Sequence, residues 1–196
     1  LDHVEAVRAG CDDLGDLGLV HVRDLFGREH LELVLGPEPA ELSRIGGWSP
    51  KVRPEHTVLI GIRNLDDRER DLVRASGVHV FTMSDIDRQG MAAVAERALA
   101  LAGTGTAGIH VSLDLDVCDP SIAPGVGTPV KGGLDYREAH VVMEMAAESD
   151  KLLALDLVDA PDGPGDHGRV HVAEGPFVGR DLPIRMLVPL AQQQIE

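Results

Sequence analysis

The sequence is poor in aromatic residues, in cysteine and in lysine, and each shortage narrows what the chain can be. Phe, Tyr and Trp together make up 3% of the 196 residues, so the core has to be aliphatic, built from Leu, Val, Ile and Ala. Two cysteines, Cys11 and Cys118, make neither a disulfide framework nor a Cys-x-x-Cys metal site. A reducing cytoplasm is the expected setting. Three lysines accompany fifteen arginines, and these 18 basic residues face 33 Asp and Glu, for a net charge of −15. That balance argues against nucleic acid as a partner, because phosphate contacts need clustered Lys and Arg. It is neutral to mildly favourable toward cations, such as a divalent metal or a guanidinium. No apolar run approaches the roughly 18 residues that cross a bilayer, and no signal-peptide pattern opens the chain. No membrane partner is expected. The chain starts at Leu1 rather than Met, which leads to the expectation that upstream sequence is missing.

What is present is an alternation of the two structural periods. Apolar residues make up 43%, enough for one generous domain of about 200 residues to bury roughly 70% of its unfolded surface. Leu17–Val22, Thr57–Arg63, Val78–Met83, Gly108–Asp116 and Leu152–Asp159 read as strands. Asp66–Ser76 reads as a helix closed by Gly77. Ser84 with Asp87, and Asp135 with Glu138, have capping-box spacing and start helices running to about Leu101 and Ser149. Pro161–Gly168 is a loop, and a further strand and a short helix are expected from Arg169 onward. Strand–helix alternation with short connections implies right-handed crossovers and a parallel sheet covered on both faces.

The stretch richest in chemistry is His110-Val-Ser-Leu-Asp114-Leu-Asp116-Val-Cys118-Asp119-Pro120. On a continuous strand His110, Ser112, Asp114 and Asp116 share one face and Ile109, Val111, Leu113 and Leu115 the other. Two carboxylates two residues apart stand roughly 7 Å apart at their Cα atoms, close enough to converge on a metal or a metal pair. Without a cation they repel. They also lie at the carboxyl end of a strand, where open parallel sheets place their ligands. Strand-end capping is the plainer alternative for such an Asp-x-Asp. Among the other features, Met143 and Met145 are expected in the core, and Cys118 as a small buried filler. Arg137 and Glu138 are expected as a helix-start ion pair or interface residues. Metal binding by His167 and His171 is disfavoured by Gly168 between them.

The longer string closely resembles the ureohydrolase family of arginases and agmatinases. It runs Ser112-Leu-Asp-Leu-Asp116, Asp119-Pro120, Ala123-Pro-Gly-Val-Gly-Thr-Pro-Val130, Gly132-Gly133 and Tyr136-Arg-Glu138. Upstream, Val58-Leu-Ile-Gly-Ile-Arg63, Ser76-Gly77, Thr82-Met83 and Ile86-Asp87-Arg88 with Gly90 look like the bacterial arginase branch. The resemblance covers about residues 45–159, while 1–44 and 160–196 match poorly. It implies a single arginase-like, three-layer α/β/α domain over 1–196, with a mainly parallel sheet and truncated relative to the family. It also implies hydrolysis of L-arginine to L-ornithine and urea at a binuclear Mn²⁺ centre, through a metal-bridging hydroxide, with agmatine as the nearest alternative substrate. Carried over by position, Asp114 would bridge the metals and Asp116 would hold one. Thr128 would line the substrate pocket, and Asp159 stands where the family has a Glu that accepts the guanidinium. A homo-oligomer, trimer or hexamer, is implied as well.

The sequence departs from the family at the other ligand segments. The Gly-Gly-Asp-His and Gly-Asn-x-His-Gly segments have no counterpart. Where Asp-Ala-His-x-Asp would follow Leu17–Val22, Arg23-Asp-Leu-Phe-Gly27 stands instead. His21, Asp24 and His30 lie near that region as substitutes, and no residue takes the usual catalytic histidine's place. The alternative implied by these gaps is a non-catalytic ureohydrolase-fold protein.

Overall fold

Five parallel strands and one antiparallel strand form a single sheet in the computed structural model, which describes residues 17–22, 41, 44, 49, 50, 52–126, 128–160 and 169–174. The strands are β1 (Leu17–Val22), β2 (Thr57–Ile62), β3 (His79–Thr82), β4 (Gly108–Asp114), β5 (Leu152–Ala160) and β6 (Arg169–Glu174). Their order is β3-β2-β1-β4-β5-β6, with only the β5–β6 pair antiparallel. From β1 the chain steps outward to β2 and β3, then returns across the sheet so that β4 lies on the other side of β1. The β1–β4 boundary is therefore a topological switch point, the place where doubly wound sheets open a crevice at their carboxyl ends.

The helices are α1 (Asp67–Ser76), α2 (Met83–Gln89), α3 (Met91–Gly103) and α4 (Tyr136–Glu148). One face of the sheet, carrying Val20, Val22, Val58, Ile60, Ile109, Val111 and Leu113, shares a core with α3 and α4. Those helices contribute Val94, Ala95, Ala98, Ala102, Val142, Met143 and Ala146. The alanine side of α3 brings it close to the sheet: a Cβ at Gly18 on β1 would overlap the Ala102 carbonyl group. On the opposite face, Val73 of α1 packs with Leu59 and Ile62. Ile62 joins that face because Gly61, at φ +90°, sits in a register shift between Ile60 and Ile62 that inverts the alternation. Helices on both faces of a mainly parallel sheet give the three-layer α/β/α architecture.

Local chemistry accounts for most of the boundaries. Asp66 and Glu69 form a reciprocal capping box, and Gly77, left-handed at φ +80°, closes α1. Asp135 and Glu138 cap α4 in the same way. The helix expected from Ser84 to Leu101 is instead two helices. Thr82 and Asp85 make the capping box of α2, and Gly90, at φ +81° and ψ 148°, breaks the chain before α3. Arg137 pairs with Glu144 at 3.4 Å, not with Glu138, whose carboxylate accepts from the Asp135 amide. Met143 is buried and Met145 packs beside the core, both as expected. The predicted strand at 169 is β6, while Pro161–Gly168 lies outside the described residues.

Candidate functional site

Both aspartates singled out from the sequence are buried at the carboxyl end of β4, Asp114 at 4% and Asp116 at 3% exposure. Burial of two adjacent carboxylates is costly unless hydrogen bonds or cations compensate. The strand does not run to Asp116 as expected. It ends at Asp114, and Leu115–Val117 is a single 3₁₀ turn. The cause is local: the Asp114 carboxylate accepts the Asp116 N–H at 3.1 Å, capping the turn. Asp116 thus leaves the strand face shared by His110, Ser112 and Asp114, and its side chain is aimed by the turn.

The Thr128 hydroxyl donates to the Asp116 carboxylate at 3.3 Å. Thr128 reaches the turn because the loop after it is sewn back onto the strand end. The Leu134 N–H donates to the Val117 carbonyl at 2.9 Å, and the Asp119 N–H donates to the Leu134 carbonyl at 2.9 Å. Asp119 adds its side chain, accepting from the Ser121 N–H at 3.0 Å and the Gly132 N–H at 2.8 Å. These bonds hold its carboxyl below the usual 3.8, at about 2, with the Ser121 contribution the largest. Because the folded value is depressed, the loop contacts are complete above about pH 4 and are lost as pH falls toward 2. Asp119→Asn should remove that acid-sensitive step, and a carboxyl titration of the native chain by NMR should place the Asp119 midpoint near 2. A midpoint near 4 would mean that the loop is not closed in this way.

Two residues of the site carried no role in the sequence reading. Arg63, just past β2, donates from its guanidinium to the carbonyls of Asp116 at 3.0 Å, Val117 at 3.1 Å and Val130 at 2.7 Å. Asp156 on β5 accepts from the Ser112 hydroxyl at 2.6 Å and from His110 Nε2 at 2.7 Å. A carboxylate only accepts, so the imidazole nitrogen facing it carries the proton. The Ser112 hydroxyl is turned to Asp156 and not to the imidazole, which is not the arrangement that activates a serine nucleophile. Cys118 is buried beside these groups. Burial pushes its thiol up to about 12, with the Asp116 and Asp114 carboxylates adding to the rise and the Arg63 charge opposing it. The expected filler role stands.

The remaining candidates are placed only in part. His21 lies on β1 at the register position of Ser112, and Asp159 follows Val158, which pairs with Asp114. Asp24 and His30 lie outside the described residues, as does His167. Buried carboxylate oxygens suit a hard divalent cation in kind. Among the described residues no group of three or more His, Cys, Asp or Glu converges as a metal site.

The Arginase family profile matches residues 42–161. The chain belongs to the arginase family. It is 52% identical over 118 residues to the arginase of Bacillus caldovelox, a match covering 60% of this chain and 40% of that protein. The crystal structure of arginase from Bacillus subtilis superposes with a TM-score of 0.67 at 38% identity, covering 74% of this chain and 56% of that one. The Bacillus caldovelox arginase structure gives a TM-score of 0.66 at 36% identity, covering 89% and 59%. The chain therefore spans about half the length of the relatives it matches, and the profile match takes in Arg63, Asp114, Asp116, Thr128 and Asp156. Among the described residues no helix is long and apolar enough to cross a membrane.

Proposed function

We propose that the protein is a manganese-dependent, arginase-type ureohydrolase that converts L-arginine to L-ornithine and urea. The observation that carries this reading is the pair of buried carboxylates, Asp114 and Asp116, at the carboxyl end of β4 beside the switch point. These two residues would hold Mn²⁺, which when bound would supply Lewis-acid activation of water and charge stabilisation at the guanidinium carbon. The chain's own contributions are positional and electrostatic. Asp114 fixes the turn that aims Asp116, and the Thr128 hydroxyl donates to the Asp116 carboxylate. A net charge of −15 favours the approach of a cationic guanidino substrate. Asp159, beside the strand end, is the proposed acceptor for the substrate guanidinium. The protein works in the cytoplasm as a homo-oligomer.

The test is urea release from L-arginine by the purified chain with Mn²⁺ in excess, with agmatine assayed in parallel. The expected result is urea from arginine, and a larger yield from agmatine would move the substrate to the decarboxylated amine. A second reading, a non-catalytic member of the family, is favoured by the ligand count: among the described residues no third His, Cys, Asp or Glu joins Asp114 and Asp116 in a metal-type group. No urea from either compound, together with no Mn²⁺ uptake, would establish that second reading.

A further inference from the structure

Arg63 leaves β2, whereas the loop it binds follows β4, and β1 lies between those two strands. Across two strand spacings, about 10 Å, only a long side chain reaches, and this one delivers its donors to three carbonyls. Two of them, Asp116 and Val117, belong to the 3₁₀ turn that aims the Asp116 carboxylate. The third, Val130, lies two residues beyond Thr128, whose hydroxyl touches that same carboxylate. The Val117 carbonyl already accepts the Leu134 N–H, so Arg63 takes its second lone pair. One guanidinium thus holds both ends of the Thr128–Asp116 contact.

The geometry points to Arg63 as a positioning residue that straps the mouth of the sheet, locking the Asp116 turn and the Thr128 loop in the relative placement that a cation site requires. The strap consists of hydrogen bonds within the chain itself, and its consequence for cation binding rests on the manganese reading above. Its planar fork suits the role, since two separate nitrogens reach the three carbonyls, whereas a lysine ammonium would have to bring one atom within bonding distance of all three. The positional role is separable from the charge. Removing a cation beside two carboxylates strengthens cation binding on electrostatic grounds alone, whereas loss of the strap weakens it.

The experiment compares the full chain with Arg63→Lys and Arg63→Met. Amide hydrogen exchange is read first, without metal, at Cys118, Asp119, Gly132 and Leu134, whose N–H groups are bonded within the strapped loops. Exchange there should accelerate about 10-fold or more in the Met variant, less in the Lys variant, and within about twofold of the parent in β2 and β4. Calorimetric titration with Mn²⁺ should then show weaker binding by about 10-fold in both variants. Unchanged loop exchange overturns the strap, as does acceleration spread evenly over the whole sheet, which marks a general stability effect. Mn²⁺ affinity that rises in the Met variant and stays at the parent value in the Lys variant reduces Arg63 to its charge. If the parent chain takes up no Mn²⁺, the manganese reading fails, and the strap stands or falls on the exchange alone.

Discussion

On the proposed manganese reading, Asp116→Asn is expected to keep the fold and to lower Mn²⁺ affinity and urea release by about 100-fold or more, above the range typical of groups that only support a metal ligand. Asparagine has the same shape and retains an oxygen for the Thr128 hydroxyl, and the Asp116 backbone N–H still caps onto Asp114. What disappears is one negative charge in a site shielded from water, with Asp116 only 3% exposed. A buried charge interacts with a divalent ion far more strongly than one in solvent, so the loss reports the charge itself. Circular dichroism checks the fold, calorimetry the metal and a colorimetric urea assay the turnover. An Asn variant that binds Mn²⁺ as the parent does would remove Asp116 from the centre.

Gly18→Ala is expected to destabilise the chain by about 3 kcal/mol, the upper end for overpacking because the obstacle is main chain. For a domain of this size that corresponds to a fall in Tm of roughly 6–12 °C. The added Cβ would overlap the carbonyl oxygen and carbon of Ala102, so no side-chain rotation relieves it. Relief requires lifting α3 from the sheet, and α3 shares its alanine side with strands β1, β2 and β4. β1 cannot yield instead, because it is bonded on both sides, to β2 and β4. Thermal unfolding followed by circular dichroism measures the effect. A shift under about 2 °C would mean that α3 does not lie against β1 at this point.

Much of the sheet was legible because parallel strands buried on both faces read as continuous apolar runs. Val58-Leu-Ile-Gly-Ile62 is of this kind, and every residue of β2 is buried. The start of α4 was legible as well, since Asp135 stands three residues before Glu138, while Asp66–Ser76 read as a helix from its composition and Gly77. The same rule misled at Ser84. Thr82 with Asp85 and Ser84 with Asp87 both fit it, and nothing local ranks them. The choice falls to Thr82, the last residue of β3, where the Asp85 carboxylate accepts from both the Thr82 N–H and the Thr82 hydroxyl. Asp116 was assigned to the strand because period-two alternation continues through it, although the Asp114 carboxylate ends the strand two residues earlier. Asp156 and Arg63 were illegible as partners for a different reason. Their contacts lie 44 to 67 residues away in sequence and depend on strand order and register, which no single segment encodes.

The arrangement around Cys118 has a bearing on how the protein ages. Cys118 is buried in the core and its backbone is bridged to Leu134 of the returning loop, and with the thiol held at about 12 almost none of it is thiolate at neutral pH. Peroxides and alkylating agents attack the thiolate and need access to it, so they reach this sulfur only when the loop lifts. Resistance of the site to oxidative damage is therefore governed by how often the loop opens, and any change that loosens the loop exposes Cys118 to irreversible modification next to the two aspartates.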